Sequence, residues 1–275
     1  MAVVWSDGEW VDAGNFSLAS SDRGMLLGFA LFETMLAVDG KAKFLDAHIG
    51  RCKESCTRLG WEFPCIDLES ICEELLLRNG LTQGRGRLRL TMTAGTGSIF
   101  DKSQGPDSRI WTVATPAEDP PKSIAVVASP WKRNHQSPLT GLKSTSYAEN
   151  ILALDHARGA GYGETLFLNS DNFLCEGATS NVFLIRGNQL FTPSLESGCL
   201  PGVTRSVVIH LARQNGLNVV ETRLTMEDLD RADEIFLTSA IRGPVPVSRL
   251  GGRRFQTTPV GDSVRSWWND EICRA

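Results

Sequence analysis

Two hydrophobic periods alternate along this chain, and that switching limits its fold more than any other feature. Between residues 49 and 59 the apolar side chains Ile49, Cys52, Cys56 and Leu59 recur at spacings of 3, 4 and 3, the period of one buried helical face. At residues 87–93 the pattern becomes strict alternation, with Leu88, Leu90 and Met92 set against Arg87, Arg89, Thr91 and Thr93. That predicts a strand with one solvated face. Neither period suits the other kind of element, so helix and sheet must both be present.

The remaining signals extend this picture. Val3, Val4 and Trp5 begin a short strand, and residues 32–38, Asp39-Gly40 and 41–45 read as a hairpin, since Asp-Gly supplies the positive φ of a tight turn. Asp46 is expected to cap the first helix and Gly60 to end it. A second helix carries Leu68, Ile71, Cys72, Leu75 and Leu76 up to Gly80. Residues 95–108, rich in Gly, Ser and Asp, read as a flexible stretch, and polar 117–122 with Pro120 and Pro121 as a linker. Beyond it come strands at 124–128, 164–168, 182–185, 217–221 and 234–238. Helices are expected at 147–160 and from Thr204 to Gly216, and Thr225 with Asp228 resembles a capping box. Strands and helices mix without strict alternation, so the fold class is α+β rather than doubly wound. The expected domains are 1–118, a linker at 119–122, and 123–275.

Composition narrows the function classes. At 275 residues with 41% hydrophobic and 22% charged content, the chain can bury a large core. A net charge of −4 argues against a dedicated nucleic-acid binder. No apolar run approaches membrane-spanning length, and the start Met1-Ala2-Val3-Val4-Trp5 lacks the pattern of a secretory leader. A soluble, cytoplasmic protein is expected. The seven cysteines include no Cys-x-x-Cys, and Cys52 and Cys56 suit a buried helical face better than a metal site. Walker, zincin and nucleophile-elbow motifs are absent, and no complete Gly-x-Gly-x-x-Gly occurs. With only four histidines, at 48, 135, 156 and 210, His-centred chemistry has few candidates.

Four separated segments carry chemistry. Residues 44–51 place Arg51 on a helix, and residues 142–150 set Lys143 just before another. Residues 176–183 run from Glu176 through Ser180 and Asn181 into an apolar strand. Leu200-Pro201-Gly202-Val203-Thr204 turns directly into a helix, whose exposed N–H groups favour an anion. A lysine, a carboxylate, an arginine and an anion cradle are what a pyridoxal phosphate site requires: an amine for the Schiff base, an acid for the ring nitrogen, cationic and N–H donors for the phosphate.

In this order the segments resemble the class IV aminotransferases, the fold-type IV pyridoxal-phosphate family, which includes branched-chain and D-amino-acid aminotransferases, (R)-amine transaminases and aminodeoxychorismate lyases. Asp22-Arg23-Gly24, Phe32-Glu33-Thr34, Thr192-Pro193, residues 232–238 and Pro246-Val247 extend the resemblance over nearly the whole chain. It implies a smaller N-terminal α/β domain, a larger C-terminal barrel-like domain and a homodimer. It also implies Lys143 as the Schiff-base lysine and proton carrier, Glu176 as partner of the pyridine nitrogen and Arg51 as the phosphate arginine. Val203 with Thr204 and Ser239 with Ala240 match the phosphate loops, Ser180 and Asn181 line the cofactor, and Thr34, Tyr147 and Arg242 are candidates for substrate binding.

Departures bear on the reaction. Gly28-Phe29-Ala30 replaces the family's Gly-Asp-Gly, and Thr93-Ala94-Gly95 lacks the arginine of D-amino-acid aminotransferases. Tyr147 follows Lys143 by four positions, one fewer than in branched-chain enzymes, and Ser239-Ala240-Ile241-Arg242 is closer to the lyase wording. The leading expectation is an aminotransferase passing an amino group from an amino acid or amine to a keto acid. The alternatives are an aminodeoxychorismate lyase releasing 4-aminobenzoate and pyruvate, and a non-catalytic cofactor-binding protein.

Overall fold

The computed structural model describes residues 2–105 and 107–275. The chain divides into two compact units, Met1–Asp119 with Leu142–Tyr147, and Pro120–Gly141 with Ala148–Ala275. The segment containing Lys143 is thus part of the first unit, although residues 123–275 were expected as one domain.

The first unit contains β1 (Val3–Ser6), β2 (Glu9–Asp12), α1 (Arg23–Leu27), β3 (Ala30–Val38), β4 (Lys41–Ala42), α2 (Leu45–Leu59), α3 (Leu68–Arg78), β5 (Arg85–Thr93) and β6 (Ile110–Pro116). Its strands form one antiparallel sheet in the order β2-β1-β6-β5-β3-β4. Leu31, Met35, Leu88, Leu90 and Met92 pack from the sheet against Cys52, Cys56, Leu75 and Leu76 of the two long helices. Both cysteines are core residues, as their spacing indicated.

Three local expectations need correction. The hairpin turn forms, with Asp39 and Gly40 at φ 50° and 80°, but its second strand stops at Ala42 instead of running to residue 45. Lys43 N–H turns back to Leu36 C=O at 2.8 Å, and Phe44 takes a left-handed φ of 56°. Phe44 is therefore the N-cap of α2, and no side chain caps that helix. Asp46 lies in the first turn, where its charge still complements the helix dipole. In β5 the polar face is only partly wet, because Thr91 and Thr93 are buried; the Thr93 hydroxyl donates to Asp22 at 2.7 Å.

The polar stretch after β5 is organised by one buried arginine that hydrogen-bonds to main-chain carbonyls. Arg23 is 1% exposed, and its guanidinium donates to the carbonyls of Ala94 (2.6 Å), Gly95 (3.0 Å), Asp101 (2.5 Å) and Ser103 (2.8 Å). One planar cation thereby satisfies four backbone acceptors and shapes residues 94–103, a stretch whose composition alone suggested flexibility. The segment Leu142–Tyr147 covers a second exposed feature. Strand β4 pairs only with Ala37 and Val38, so the start of β3 has an uncovered edge. There Phe32 N–H donates to Lys143 C=O and Thr145 N–H to Ala30 C=O, both at 2.8 Å, and Leu31 bridges Ser144.

The second unit contains β7 (Ile124–Ala128), α4 (Ala148–Gly159), β8 (Glu164–Leu168), β9 (Leu174–Gly177), β10 (Asn181–Arg186), β11 (Gln189–Pro193), α5 (Val203–Gln214), β12 (Asn218–Thr222), α6 (Met226–Asp230), β13 (Glu234–Ser239), β14 (Gly243–Leu250), β15 (Arg253–Arg254) and α7 (Pro259–Arg274). Its nine-stranded sheet runs β12-β11-β10-β13-β14-β7-β8-β9, with β15 paired to β14. The sheet curls so that Leu174 N–H of β9 donates to Leu224 C=O just beyond β12 at 2.7 Å, which makes it barrel-like. Val126, Leu166, Leu174, Val182, Leu184, Ile235, Leu237 and Val245 fill its interior. Strand β14, with Pro244 and Pro246 in it, was not expected, since proline argues against an interior strand. Helix α7 also went unread, although Thr258 caps it and Pro259 occupies its first turn. The Thr225–Asp228 capping box of α6 forms as read.

Removing the Arg23 guanidinium should be costly, because several inward-facing carbonyls would lose their donor. Arg23→Ala is expected to lower unfolding free energy by roughly 3 kcal/mol or more, with accelerated amide exchange over residues 94–103; urea melts and hydrogen exchange check this.

Candidate active site

The residues named from sequence fall into two groups, one in each unit. In the first, pleating sends successive side chains of β3 to opposite faces. Phe32 and Thr34 share one face with Arg89, the cross-strand partner of Thr34. Lys143 and Tyr147 belong to the same cluster. The Lys143 ammonium lies 4.4 Å from the Phe32 ring centroid and 5.8 Å from that of Tyr147. The two rings meet edge to face at 5.5 Å, and the Arg89 guanidinium stacks over Phe32 at 3.9 Å. Thr145 Oγ1 and Ser146 Oγ donate to Gly28 C=O at 3.0 and 3.1 Å, which fixes the chain on the far side of the lysine. Gly28, at φ 64°, has no room for a Cβ against the Ser146 hydroxyl. Alternation places Arg89 on a solvated face; it is half-buried against Phe32, the ring that also meets Lys143, a position that alternation alone could not reveal.

On the opposite face of β3, Glu33 meets α2. Its Oε1 accepts from Arg51 Nε at 2.9 Å, and its Oε2 from Arg51 Nη2 at 2.5 Å and from His48 Nδ1 at 2.7 Å. Glu33 and His48 are 2% exposed and Arg51 is 9% exposed. Burial alone would push the Glu33 carboxyl up, but the His48 hydrogen bond and the Arg51 charge outweigh it and hold the pKa at about 2. Burial lowers His48 against the pull of Glu33, so the imidazole is neutral and donates through Nδ1. The sequence singled out Arg51 and missed both partners. The His48-x-x-Arg51 spacing, which places two polar side chains on one helical face, was the available signal.

In the second unit a single residue ties the pieces together. Leu200 N–H donates to Glu176 Oε2 at 2.9 Å, while Leu200 C=O accepts from Asn181 Nδ2 at 2.8 Å. That residue therefore connects the end of β9, the start of β10 and the turn into α5. Arg133 approaches Glu176 Oε1 at 3.6 Å and packs over the Phe167 ring at 4.4 Å; it was not among the residues named from sequence. Gly177 N–H donates to Ser180 C=O at 2.7 Å, which closes the β9–β10 turn tightly. Asn181 pairs with Thr238 across β10 and β13, so Ser239 and the Ala240-Ile241-Arg242 turn lie at the same end of the sheet as Glu176 and Asn181. Glu164 supports the turn by accepting from Thr179 N–H and its hydroxyl at 2.9 and 2.8 Å. Burial raises the Glu164 carboxyl, with Thr179 and Arg242 opposing the shift.

This donor set fits a phosphate-bearing pyridine. Helix α5 begins at buried Val203 and Thr204 with Gly202 as its N-cap and no side chain capping it. A Cβ at Gly202 would run into the Asn181 side chain. The buried Ser180 hydroxyl has no protein partner among the described residues, and Glu176 is held as an acceptor beside this turn. No group of side chains suited to a metal ion occurs among the described residues.

The family model for amino-transferase class IV matches residues 30–250. The chain belongs to that family. Over 95% of its length it is 32% identical to a protein of Methanocaldococcus jannaschii named as a putative branched-chain-amino-acid aminotransferase, of which it covers 92%. Over 90% of its length it is 28% identical to the aminodeoxychorismate lyase of Bacillus subtilis, of which it covers 86%. An aminotransferase from Brucella abortus, bound to the cofactor PLP, superposes with a TM-score of 0.84 at 27% identity over 98% of this chain and 99% of that one. Two activities thus sit within similar distance of one class IV aminotransferase scaffold, and the α+β fold with its barrel-like second unit is the fold of these enzymes.

The Glu33 cluster makes stability depend on acid. A carboxyl at about 2 in the fold and 4.5 when unperturbed stabilises fully above pH 4.5. Its contribution, of order 3 kcal/mol, is lost as pH falls toward 2. His48, lowered in the fold, adds to the loss below its ordinary 6.5 because unfolding lets it protonate. Denaturant melts between pH 7 and 3 should show a steep decline that Glu33→Gln flattens.

Proposed function

We propose that the protein is a pyridoxal-phosphate-dependent aminotransferase that moves an amino group from an amino acid or amine to a keto acid. The observation that carries this reading is the seating of Lys143. Its backbone is hydrogen-bonded to β3, and its ammonium is held against Phe32 beside Tyr147. An amine so placed can anchor the cofactor and, once released, act as the base for the substrate Cα proton. When bound, pyridoxal phosphate supplies an electron-accepting ring that stabilises negative charge at Cα.

The chain's own residues divide the remaining work. Glu176, oriented by Leu200 N–H and Arg133, would hold the proton on the ring nitrogen. Arg51, the helix start at Val203 and Thr204, and the loop at Ser239 and Ala240 would bind the phosphate. Ser180 and Asn181 would line the ring. Thr34, Tyr147 and Arg242 would meet the substrate, and Arg89 adds a cation on the Lys143 face suited to a carboxylate. The active form is a homodimer in this reading, supported by the exposed apolar side chains Ile151 and Leu152, both 62% exposed on α4; light scattering at twice the mass of one 30.1 kDa chain is the expected result.

The lyase is the second reading, favoured by the likeness to the Bacillus subtilis enzyme. Holoenzyme given amino donors without keto acid separates the two. Conversion of the bound cofactor to its pyridoxamine form supports transfer, whereas 4-aminobenzoate and pyruvate formed from aminodeoxychorismate, with the cofactor unchanged, support the lyase. In either case Lys143→Ala should lower turnover by about 10³-fold or more while still binding cofactor without a covalent link.

A further inference from the structure

The Phe32-Glu33-Thr34 match contains a side chain to which no role has yet been given. Glu33 sits in a nine-residue strand whose every residue is paired to β5, so its carboxylate projects from a rigid platform. It grips the Nε–Nη2 edge of Arg51 with both oxygens at 2.9 and 2.5 Å, and His48, one turn earlier on α2, fixes Oε2 from a third direction at 2.7 Å. Three donors on one buried carboxylate leave neither it nor the planar guanidinium freedom to rotate.

We propose that Glu33 is a positioning residue for cofactor capture: by holding one edge of Arg51 it sets the direction in which that guanidinium meets the cofactor phosphate. The proposal rests on the reading of Arg51 as a phosphate ligand. Charge alone would argue for the opposite residue, because an anion beside a phosphate-binding arginine repels the phosphate and cancels the arginine's charge. Retaining a carboxylate there makes sense if orientation outweighs attraction. His48 strengthens the case, since as a neutral Nδ1–H donor it restrains the carboxylate without adding positive charge.

The two effects predict opposite signs. In Glu33→Gln the negative charge is removed and one of the paired contacts to Arg51 is lost. If orientation governs, pyridoxal phosphate should dissociate about tenfold or more readily, while pyridoxal, which lacks the phosphate, keeps its affinity; absorbance titrations of both ligands read this directly. Unchanged or tighter binding of pyridoxal phosphate overturns the proposal. So does equal weakening of both ligands, which would mark Glu33 as merely structural. Glu33→Asp retains the charge and retracts the carboxylate, so it should show the same phosphate-selective loss and serves if the glutamine variant does not fold. Arg51→Ala tests the underlying reading: without a phosphate-selective loss there, Arg51 is not the phosphate ligand and the proposal falls with it, whereas loss in Arg51→Ala but not in the Glu33 variants defeats Glu33 alone. In the wild-type holoenzyme, whatever the fate of the variants, a crystal structure should find Arg51 still paired with Glu33 while it touches the phosphate. A guanidinium swung off Glu33 would overturn the assignment.

Discussion

The pleat of one strand governs the first unit. Along β3, Leu31, Met35 and Ala37 enter the core, and Glu33, on the same face, is the one polar side chain among them. A lone carboxylate in that position would be expensive, and Arg51 and His48 of α2 offset the cost by supplying all its donors. The same pleat turns Phe32 and Thr34 the other way, and the uncovered edge of β3 takes the segment bearing Lys143. Core packing, the arginine and the lysine thus depend on one strand holding its register, and slipping by a single residue would turn Phe32 toward the helices and Glu33 away from Arg51 and His48.

The second unit solves its own problem through the backbone. Its named residues come from β9, β10, β13 and the start of α5, elements well separated in the chain. The main chain of Leu200 donates to Glu176 and accepts from Asn181, and the β10–β13 ladder brings Ser239 to the same end. Main-chain groups persist through every substitution except proline at the donor, so the carboxylate and the amide keep their relation while side chains in the turns vary. That is a physical route by which one scaffold can support both transamination and lyase chemistry, the two activities found among its relatives.

Much of this was legible in the residues. Period switching fixed the class of the fold, Asp39-Gly40 fixed the hairpin turn, Gly60 ended α2, and the Thr225–Asp228 box capped α6, because each depends on neighbours within a few positions. The strand holding Pro244 and Pro246 was hidden because proline lacks the donor that strands use; it forms as the return arm of a hairpin with β13, where Pro244 lies opposite Thr238 and Pro246 opposite Phe236. Residues 94–103 looked flexible because nothing local organises them; the organiser is Arg23, some seventy positions earlier.

By itself the sequence determined which chemical groups exist and their order: the lysine, the arginine, the carboxylate and the glycine turn opening a helix, enough to point to the class IV aminotransferases. Tertiary structure alone decided their environments. That Glu33 is anionic while buried, that Arg89 and Lys143 both meet the Phe32 ring, and that Arg133 stands by Glu176 all follow from contacts between segments remote in the chain. The reason is physical: ionisation and orientation depend on what surrounds a group within a few ångströms, and most of those neighbours are supplied by the fold.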